Sequence, residues 1–316
     1  MQTRAYRHTQ HVDAGKRAWP RATVRSTLKE PARPTARMSR KAATMQPHDA
    51  DTLFAGSIPA LYDTLLVPLL FEPYAIDLAK RAAIIAPTRV LELAAGTGAL
   101  TRVLARALPD GTTLVATDLN RPMLDRAAEV GTCRPVVWQQ ADAQRLPYGD
   151  ASFDLVICQF GAMFFPDKPR AFAEAHRVLK PGGTLLFNVW DRIAENEFAD
   201  TVTQTLARRY PDRPPSFLAR VPHGYHDRAT VEADVRAAGF SSLLYCDTVP
   251  AHTRAATPGV PAIAYCHGTP LRSELEAIGP DTLSDATTAC TEAIAERFGA
   301  GPVDGKIQAH VFGASR

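Results

Sequence analysis

The sequence has few cysteines and no long hydrophobic run. Its five cysteines are odd in number, lie far apart and form no CxxC pair, which argues against a disulfide framework or a zinc site and for a reducing compartment. No apolar stretch approaches the roughly 20 residues of a membrane-spanning helix. Hydrophobic residues still make up 46% of the 316 residues, enough for the core of one large domain or two small ones.

A basic surface is also lacking outside the first fifty residues. Residues 1–50 carry eleven Lys and Arg against three Asp and Glu, a net charge of +8. Because the whole chain has a net charge of +3, the remainder carries −5. A mildly acidic body of this kind argues against a nucleic-acid-binding surface.

The first fifty residues show no helical or strand period and few large apolar side chains. We therefore predict that residues 1–50 form a basic, disordered N-terminal extension. Their composition is typical of a mitochondrial transit peptide, and the alternative is an upstream start codon with Met38 or Met45 as the true start. No apolar region of a secretory signal is present. We expect a cytoplasmic protein, or a mitochondrial one if the extension is a transit peptide.

From residue 76 onward the sequence alternates between helical and strand patterns. This alternation predicts a mostly parallel sheet with helices on both faces, a doubly wound, Rossmann-like α/β fold of seven strands over residues 51–316. Residues 255–302 hold two helical patterns, 271–278 and 282–298, and are predicted as a helical insertion before the last strand. The predicted strands are 89–93, 113–117, 135–139, 153–158, 184–189, 242–247 and 306–312.

A turn with two glycines follows the first predicted strand, in LELAAGTGAL at residues 91–100. Gly96 and Gly98 would let backbone N–H groups and a helix N-terminus approach a nucleotide. Asp118 ends the next strand, at a suitable distance for a carboxylate that binds ribose hydroxyls. This arrangement serves NAD and S-adenosylmethionine alike, and a tight strand–helix connection is the alternative. The dinucleotide fingerprint G-x-G-x-x-G/A fails, because Thr101 occupies its third position.

Four segments within residues 87–190 resemble the class I S-adenosylmethionine-dependent methyltransferases: VLELAAGTGALT, VATDLN, ADAQRLPYGDASFDLVICQF and HRVLKPGG. The similarity is greatest to the small-molecule group that includes the ubiquinone/menaquinone-biosynthesis C-methyltransferases. The resemblance implies S-adenosylmethionine as cofactor and a small-molecule methyl acceptor. It says little about which acceptor is used. A nicotinamide-dependent oxidoreductase and a non-catalytic cofactor-binding protein remain the alternatives.

The resemblance also implies a set of cofactor-binding residues. Glu92 matches the first-strand acid that organises the loop near the amino end of the cofactor, and Asp118 matches the ribose carboxylate. Asp142 and Ala143 match the pair at the adenine amino group, although Asp142 could instead cap the following turn. Gln159 matches a position beside the methionine moiety. The other predicted members lie under the methionine and ribose or pack on adenine, with simple core packing as an alternative for the last two: Gly96, Thr97, Gly98, Leu119 and Met123.

Residues outside the shared core are expected to build the acceptor site. In the family, a segment at the position of residues 51–85 folds over the cofactor, so we predict an N-terminal helical lid there. Aromatic side chains at the carboxyl ends of the fourth and fifth strands suit an apolar or aromatic acceptor, with core packing as the alternative. The predicted substrate-site residues are Tyr62, Tyr74, Phe164, Trp190 and His267.

The loop sequence VPHGYHD offers the candidates for a general base. We predict His226 in this role, with His223 exposed and Asp227 capping the next helix. The H-x-x-H spacing could indicate a metal, but the sequence shows no further ligands, so no metal site is predicted. After the fourth strand, QFGAMFF lacks the [DN]PP[YFW] motif with which amino-group methyltransferases hold a planar nitrogen. This absence again disfavours nucleic acid as the acceptor.

Overall fold

The computed structural model describes residues 51–316 except residues 53 and 55. The predicted extension, residues 1–50, lies outside the described residues. Within the described part, no helix combines the length and apolar character needed to cross a membrane. The described chain opens with helices that precede the sheet, and its remaining strands and helices follow in the alternating order that the sequence predicts.

The opening helices form one almost continuous helical segment. Helix α1 (Ile58–Leu61) leads into a π-helix (Tyr62–Phe71), which continues as α2 (Glu72–Ile85). Pro68 lies inside the π-helix and has no backbone N–H to donate, which is consistent with a local departure from α-helical hydrogen bonding. Ala86 ends α2 in the left-handed conformation, with φ 52°, and turns the chain into the first strand.

Seven strands form a single mixed sheet in the order β3-β2-β1-β4-β5-β7-β6. The first five strands pair in parallel, whereas β7 runs antiparallel to both β5 and β6. This arrangement confirms the predicted fold class. The strands are β1 (Arg89–Leu93), β2 (Thr113–Asp118), β3 (Val137–Gln140), β4 (Phe153–Gln159), β5 (Leu179–Trp190), β6 (Ser242–Ala255) and β7 (Val303–Ser315).

Two hydrophobic clusters lie on the two faces of the sheet. Successive strand residues alternate between them: Val90 joins one cluster and Leu91 the other, as the pleat of a strand requires. One cluster includes α2 and α3 and the other includes most of the later helices. The helices after α2 are α3 (Ala99–Ala107), α4 (Arg121–Val130), α5 (Lys168–Val178), α6 (Glu197–Arg209), α7 (Phe217–Arg220), α8 (Arg228–Ala237), α9 (Gly259–Gly268), α10 (Leu271–Glu276) and α11 (Thr282–Phe298).

The C-terminal third departs most from the sequence-based expectation. The last two strands are longer than predicted, because Ser242–Ala255 and Val303–Ser315 pair along their whole length. Between them lie three helices and not two. The additional helix, α9, has the sequence GVPAIAYCHG, with Gly and Pro in its first turn and six buried residues. Because it is buried on several sides, it lacks the amphipathic period by which a surface helix is recognised.

Candidate functional site

The carboxyl ends of β1, β2 and β4 open onto a cleft of about 1100 Å³, which we call the strand-end cleft. Open parallel sheets bind ligands at this edge. Seven of the ten residues predicted to bind cofactor line it: Gly96, Asp118, Leu119, Met123, Asp142, Ala143 and Gln159. The other three, Glu92, Thr97 and Gly98, do not line the cleft and instead contact other parts of the protein, as described below.

Asp118 lies at the end of β2 with its carboxylate held by two backbone amides. Gly96 N donates to Oδ2 at 2.8 Å and Asn120 N donates to Oδ1 at 2.7 Å. Burial raises the pKa of Asp118, while the hydrogen bonds from these amides oppose the rise. The Asn120 side chain and the Leu119 amide also stabilise the charged carboxylate, which lines the cleft. A carboxylate at the cleft wall can accept hydrogen bonds from a ligand with two neighbouring hydroxyls, such as a ribose.

The two glycines of the turn serve different purposes. Gly96 has φ +57°, and a Cβ there would come within 3.5 Å of Met123 Cε at the cleft wall. Gly98 has φ +83°, and a Cβ there would come within 2.9 Å of Trp138 Cη2. Gly98 therefore allows α3 to begin close to Trp138, and its contacts are on the protein side. Thr97 is buried, and its carbonyl oxygen accepts a hydrogen bond from Arg102.

Glu92 is buried in β1 and bonded to the protein. Thr101 Oγ1 donates to Glu92 Oε2 at 2.6 Å, which joins the strand to helix α3 across the glycine turn. Burial raises the pKa of Glu92 to about 8, although the hydrogen bond from Thr101 and the charge of Arg102 lower it. The carboxyl group of Glu92 therefore stabilises the glycine turn through its hydrogen bond with Thr101.

Asp142 combines the two alternatives that the sequence left open. Its Oδ1 accepts a hydrogen bond from Gln144 N at 2.9 Å, so the side chain caps the turn after β3. Asp142 and Ala143 also line the cleft. The turn cap holds the carboxylate in place and leaves acceptor capacity for a ligand N–H group.

Gln159, at the end of β4, has a buried polar atom that the protein does not satisfy. Its Oε1 has no hydrogen-bond partner among the described residues, although the side chain lines the cleft. A buried acceptor without a donor costs about 1–3 kcal/mol. A ligand that brings an amino group to this position would remove the cost, so the orphaned oxygen fits the amino end of an amino-acid-like ligand.

Ion pairs connect the opening helical segment to helices α3 and α4 beside the cleft. Asp63, next to Tyr62, pairs with Arg102 and Arg126, each at 3.0 Å. Arg102 Nη1 also donates to Thr97 O at 2.6 Å, so the same side chain contacts the glycine turn. These contacts place the ring of Tyr62 at the cleft wall.

A second cavity of about 580 Å³, the aromatic cavity, shares a wall with the cleft. Phe54, Tyr62, Phe160 and Phe164 line both spaces. Helices α7 and α9 and the segments that follow them form much of the rest of the cavity. Its other lining residues are Leu66, Leu70, Phe71, Trp190, Asn196, Phe217, Leu218, Pro222, His223, Tyr265, Thr269 and Pro270.

The shared wall contains a strained aromatic residue. Phe160 has φ +51°, a conformation that non-glycine residues rarely adopt. Its ring stacks on Trp190, with centroids 3.8 Å apart and planes 7° from parallel, and its amide donates to Asn188 Oδ1 at 2.9 Å. Strain of this kind concentrates at ligand sites and persists where neighbours enforce it. The stack therefore fixes the position of the Phe160 ring in the wall between the aromatic cavity and the cleft.

Of the predicted substrate-site residues, Tyr62, Phe164 and Trp190 line the aromatic cavity, whereas Tyr74 and His267 line neither space. The Tyr74 hydroxyl donates to Val249 O at 3.1 Å, and the ring packs behind Phe160 and Trp190. His267 Nε2 is 2.9 Å from Thr287 Oγ1, so its ring is engaged between insertion helices. Both side chains support the structure around the cavity.

The histidine loop also differs from the sequence-based expectation. His226, predicted as the base, lines neither cavity, and its Nδ1 is 2.8 Å from His223 O. His223, predicted to be exposed, is only 6% exposed and lines the aromatic cavity. A Cβ on Gly224 would come within 2.1 Å of Arg220 O, so the loop turns tightly and brings His223 inward. Asp227 does cap α8, because Thr230 N donates to it at 3.0 Å.

Among the residues that the structure describes, no group of three or more His, Cys, Asp or Glu is arranged to hold a metal ion. Several lining residues were not singled out from the sequence, namely Phe54, Asn120, Asn196, Gly161 and Phe217. The only sequence signal at Gly161 is a glycine after β4, and a Cβ there would come within 2.4 Å of Ala94 Cβ. The others lie outside the motif segments or have no distinctive spacing.

Comparison with known proteins bears on the chemistry of this site. A family model described as a methyltransferase domain matches residues 91–187. The ubiquinone/menaquinone biosynthesis C-methyltransferase UbiE of Saccharophagus degradans is 33% identical over 170 residues, which cover 50% of this chain and 68% of that protein. The chain belongs to the UbiE-like class I S-adenosylmethionine-dependent methyltransferases. UbiE of Escherichia coli is 32% identical over 177 residues, which cover 49% of this chain and 67% of the relative.

Among solved structures, phosphoethanolamine N-methyltransferase 2 of Haemonchus contortus superposes with a TM-score of 0.50 at 16% identity, over 82% of this chain and 56% of that one. This similarity concerns the fold alone. The family model and the UbiE relatives show that the chain is a methyltransferase whose cofactor is S-adenosylmethionine.

Proposed function

We propose that this methyltransferase acts on a small, apolar or aromatic molecule that binds in the aromatic cavity. The observation that carries the proposal is the shared wall: four aromatic residues, Phe54, Tyr62, Phe160 and Phe164, border both the strand-end cleft and this cavity. A molecule in the cavity would therefore lie next to one in the cleft.

We further propose which part of S-adenosylmethionine each cleft residue binds. Asp118 would hold the ribose hydroxyls, Asp142 and Ala143 the adenine amino group, and Gln159 the methionine amino group. Leu119 and Met123 would pack on the adenine. The bound cofactor supplies an activated methyl group on a sulfonium, and the protein contributes position and the exclusion of water.

The aromatic and apolar lining of the cavity favours a ligand of one or two rings over a long polar molecule. Aromatic rings favour stacked or edge-on contacts, and the stack of Phe160 on Trp190 offers such a surface. The UbiE relatives are named for ubiquinone and menaquinone biosynthesis, so a quinone-related ring is a suitable first acceptor to assay. Nucleic acid is disfavoured by the net charge of −5 outside residues 1–50. We propose a cytoplasmic site of action, with the mitochondrion as the alternative if residues 1–50 act as a transit peptide.

A pair of blocking variants tests the two spaces separately. Leu218 lines only the aromatic cavity and Ala143 lines only the cleft. We expect Leu218→Trp to abolish methyl transfer from labelled S-adenosylmethionine to a panel of one- and two-ring acceptors while calorimetric binding of S-adenosylhomocysteine is preserved. Ala143→Trp should abolish both. Preserved transfer by a folded Leu218→Trp protein would place the acceptor elsewhere.

A further inference from the structure

His223 is the histidine that lines the aromatic cavity, and its ring is held at one edge. The ring packs against Trp190 with centroids 5.9 Å apart, and its Nδ1 is 2.8 Å from Asp191 O. His223 lines the cavity, and because its Nδ1 is engaged by Asp191 O, Nε2 is the ring nitrogen left for a ligand. The position of Nε2 is therefore set by a hydrogen bond on the far side of the ring.

The same hydrogen bond fixes the tautomer. A carbonyl oxygen can only accept, so His223 Nδ1 must carry the hydrogen and Nε2 is unprotonated in the neutral ring. Burial lowers the pKa of His223 to about 4, even though the hydrogen bond to Asp191 O raises it. At physiological pH the cavity therefore contains a neutral ring whose exposed nitrogen is an acceptor only.

Asp191 is held firmly enough to keep this orientation. Its carboxylate lies 3.2 Å from His310 Nε2 and accepts a hydrogen bond from Gln308 Nε2 at 2.6 Å. Its carbonyl oxygen, which receives the His223 hydrogen bond, also accepts from Asn196 Nδ2 at 3.3 Å. Of these groups, His223 and Asn196 line the cavity, whereas Asp191, Gln308 and His310 are not among its lining residues.

Other polar side chains in the cavity do not offer the same selectivity. Asn196 Oδ1 accepts a hydrogen bond from Gln308 N, and Thr269 Oγ1 donates to Tyr265 O. The hydroxyls of Tyr62 and Tyr265 can rotate and either donate or accept, so they discriminate weakly between donors and acceptors on a ligand. An acceptor-only nitrogen, in contrast, leaves a buried unpaired atom whenever the ligand brings no donor.

We propose that His223 Nε2 is a specificity-determining group that accepts a hydrogen bond from a hydroxyl on the methyl acceptor. The enzyme would thereby prefer hydroxylated rings over the same rings with the hydroxyl masked. This inference rests on the proposed function, since it requires that the acceptor binds in the aromatic cavity.

Two probes and two variants test it. The dissociation constants of 1-naphthol and 1-methoxynaphthalene are measured by calorimetry on the full chain saturated with S-adenosylhomocysteine. His223→Asn keeps an N–H that can reach Asp191 O, but its side chain stops short of the Nε2 position. His226→Asn is the matched control, because it likewise keeps the donor toward His223 O and lies outside both cavities.

We expect the wild type and His226→Asn to bind 1-naphthol about tenfold more tightly than 1-methoxynaphthalene, the effect of one good hydrogen bond. His223→Asn should reduce this ratio to within about twofold. Equal binding of the two probes by the wild type would overturn the role of His223 while leaving the cavity as the acceptor site. Binding of neither probe would instead overturn the proposed function, and the inference with it. Even if His223→Asn does not fold, equal binding of the two probes by the wild type would overturn the proposal.

Discussion

The strand-end cleft and the aromatic cavity share a wall, but different kinds of structure build them. The cleft is made mainly by the ends of β1, β2 and β4 and the turns that follow them, and all its lining residues except Thr52, Phe54 and Tyr62 lie within the 91–187 segment that matches the methyltransferase model. The aromatic cavity is made mainly from the opening helices, the loop around His223 and the helices between β6 and β7.

Their chemistry differs in the same way. The cleft contains the carboxylates of Asp118 and Asp142 and the buried amide oxygen of Gln159, which has no hydrogen-bond partner among the described residues. The cavity contains aromatic rings and one neutral imidazole, that of His223. A polar, motif-encoded cleft suits a constant cofactor, whereas an apolar cavity built from peripheral segments can change its substrate without disturbing cofactor binding. The variants below separate the two regions.

The largest expected effect is confined to the cleft. Asp118→Ala removes the carboxylate that is proposed to bind two ribose hydroxyls, and a charged hydrogen bond contributes about 1.5–3 kcal/mol. We expect at least about a hundredfold weaker binding of S-adenosylhomocysteine by calorimetry, or about 2.7 kcal/mol. Asp125→Ala, on the exposed face of α4, is the control and should bind normally. A loss of less than threefold for Asp118→Ala would contradict the assignment.

A second variant examines the pH dependence of the cleft side. Glu92 has a pKa raised from 4.5 to about 8 in the folded protein, so the folded state binds more protons than the unfolded chain between these values. Stability should therefore fall as pH rises through this window. Glu92→Gln removes this loss, and we expect it to stabilise the unliganded protein by a few kcal/mol at pH 8 and little at pH 4.5.

Urea unfolding at several pH values provides the measurement for Glu92. The difference between the wild type and Glu92→Gln should grow steadily from pH 5 to pH 8. A constant difference, or one that shrinks with pH, would mean that Glu92 does not carry the raised pKa.

Trp190→Leu tests the cavity side. Trp190 lines the aromatic cavity and not the cleft, and it carries the stack with Phe160. Loss of an aromatic contact should weaken 1-naphthol binding about tenfold, while S-adenosylhomocysteine binding changes less than about twofold. Phe172→Leu, in a buried aromatic pair with Phe187 that lines neither space, is the matched control. If both variants weakened the two ligands equally, the two regions would not be separable.

The smallest expected effect should appear in both regions. Asp63→Asn weakens the pairs with Arg102 and Arg126 that fasten the helical segment carrying Tyr62. Because Tyr62 lines both spaces, we expect about threefold weaker binding of both S-adenosylhomocysteine and 1-naphthol. Asp77→Asn, which disturbs a surface pair in α2, should change neither. An effect on one ligand alone would show that Tyr62 does not join the two regions.

The sequence predicted the cleft far better than the cavity, for a physical reason. Strand, glycine turn and following strand are local patterns, so the spacing from Gly96 to Asp118 was enough to place both residues at one edge of the sheet. Thr97 and Gly98 belong to the same pattern but do not line the cleft, because Thr97 is buried and Gly98 packs toward Trp138.

The cavity depends on contacts between distant segments, which local patterns do not record. His223 and His226 are three residues apart, and the one that lines the cavity depends on contacts with distant residues such as Asp191, which local sequence does not show. Tyr74 was predicted beside Tyr62 in the acceptor site, yet its hydroxyl reaches Val249 in β6. Helix α9 was not predicted because it is mostly buried and therefore lacks the polar face that indicates a surface helix in a sequence.

A crystal structure of the protein with both S-adenosylhomocysteine and 1-naphthol would test the central claim most directly. The account predicts the ribose hydroxyls on Asp118 in the strand-end cleft and the naphthol ring in the aromatic cavity beside Trp190, with its hydroxyl at His223 Nε2. Naphthol bound outside the aromatic cavity, or a nucleoside away from Asp118, would contradict it.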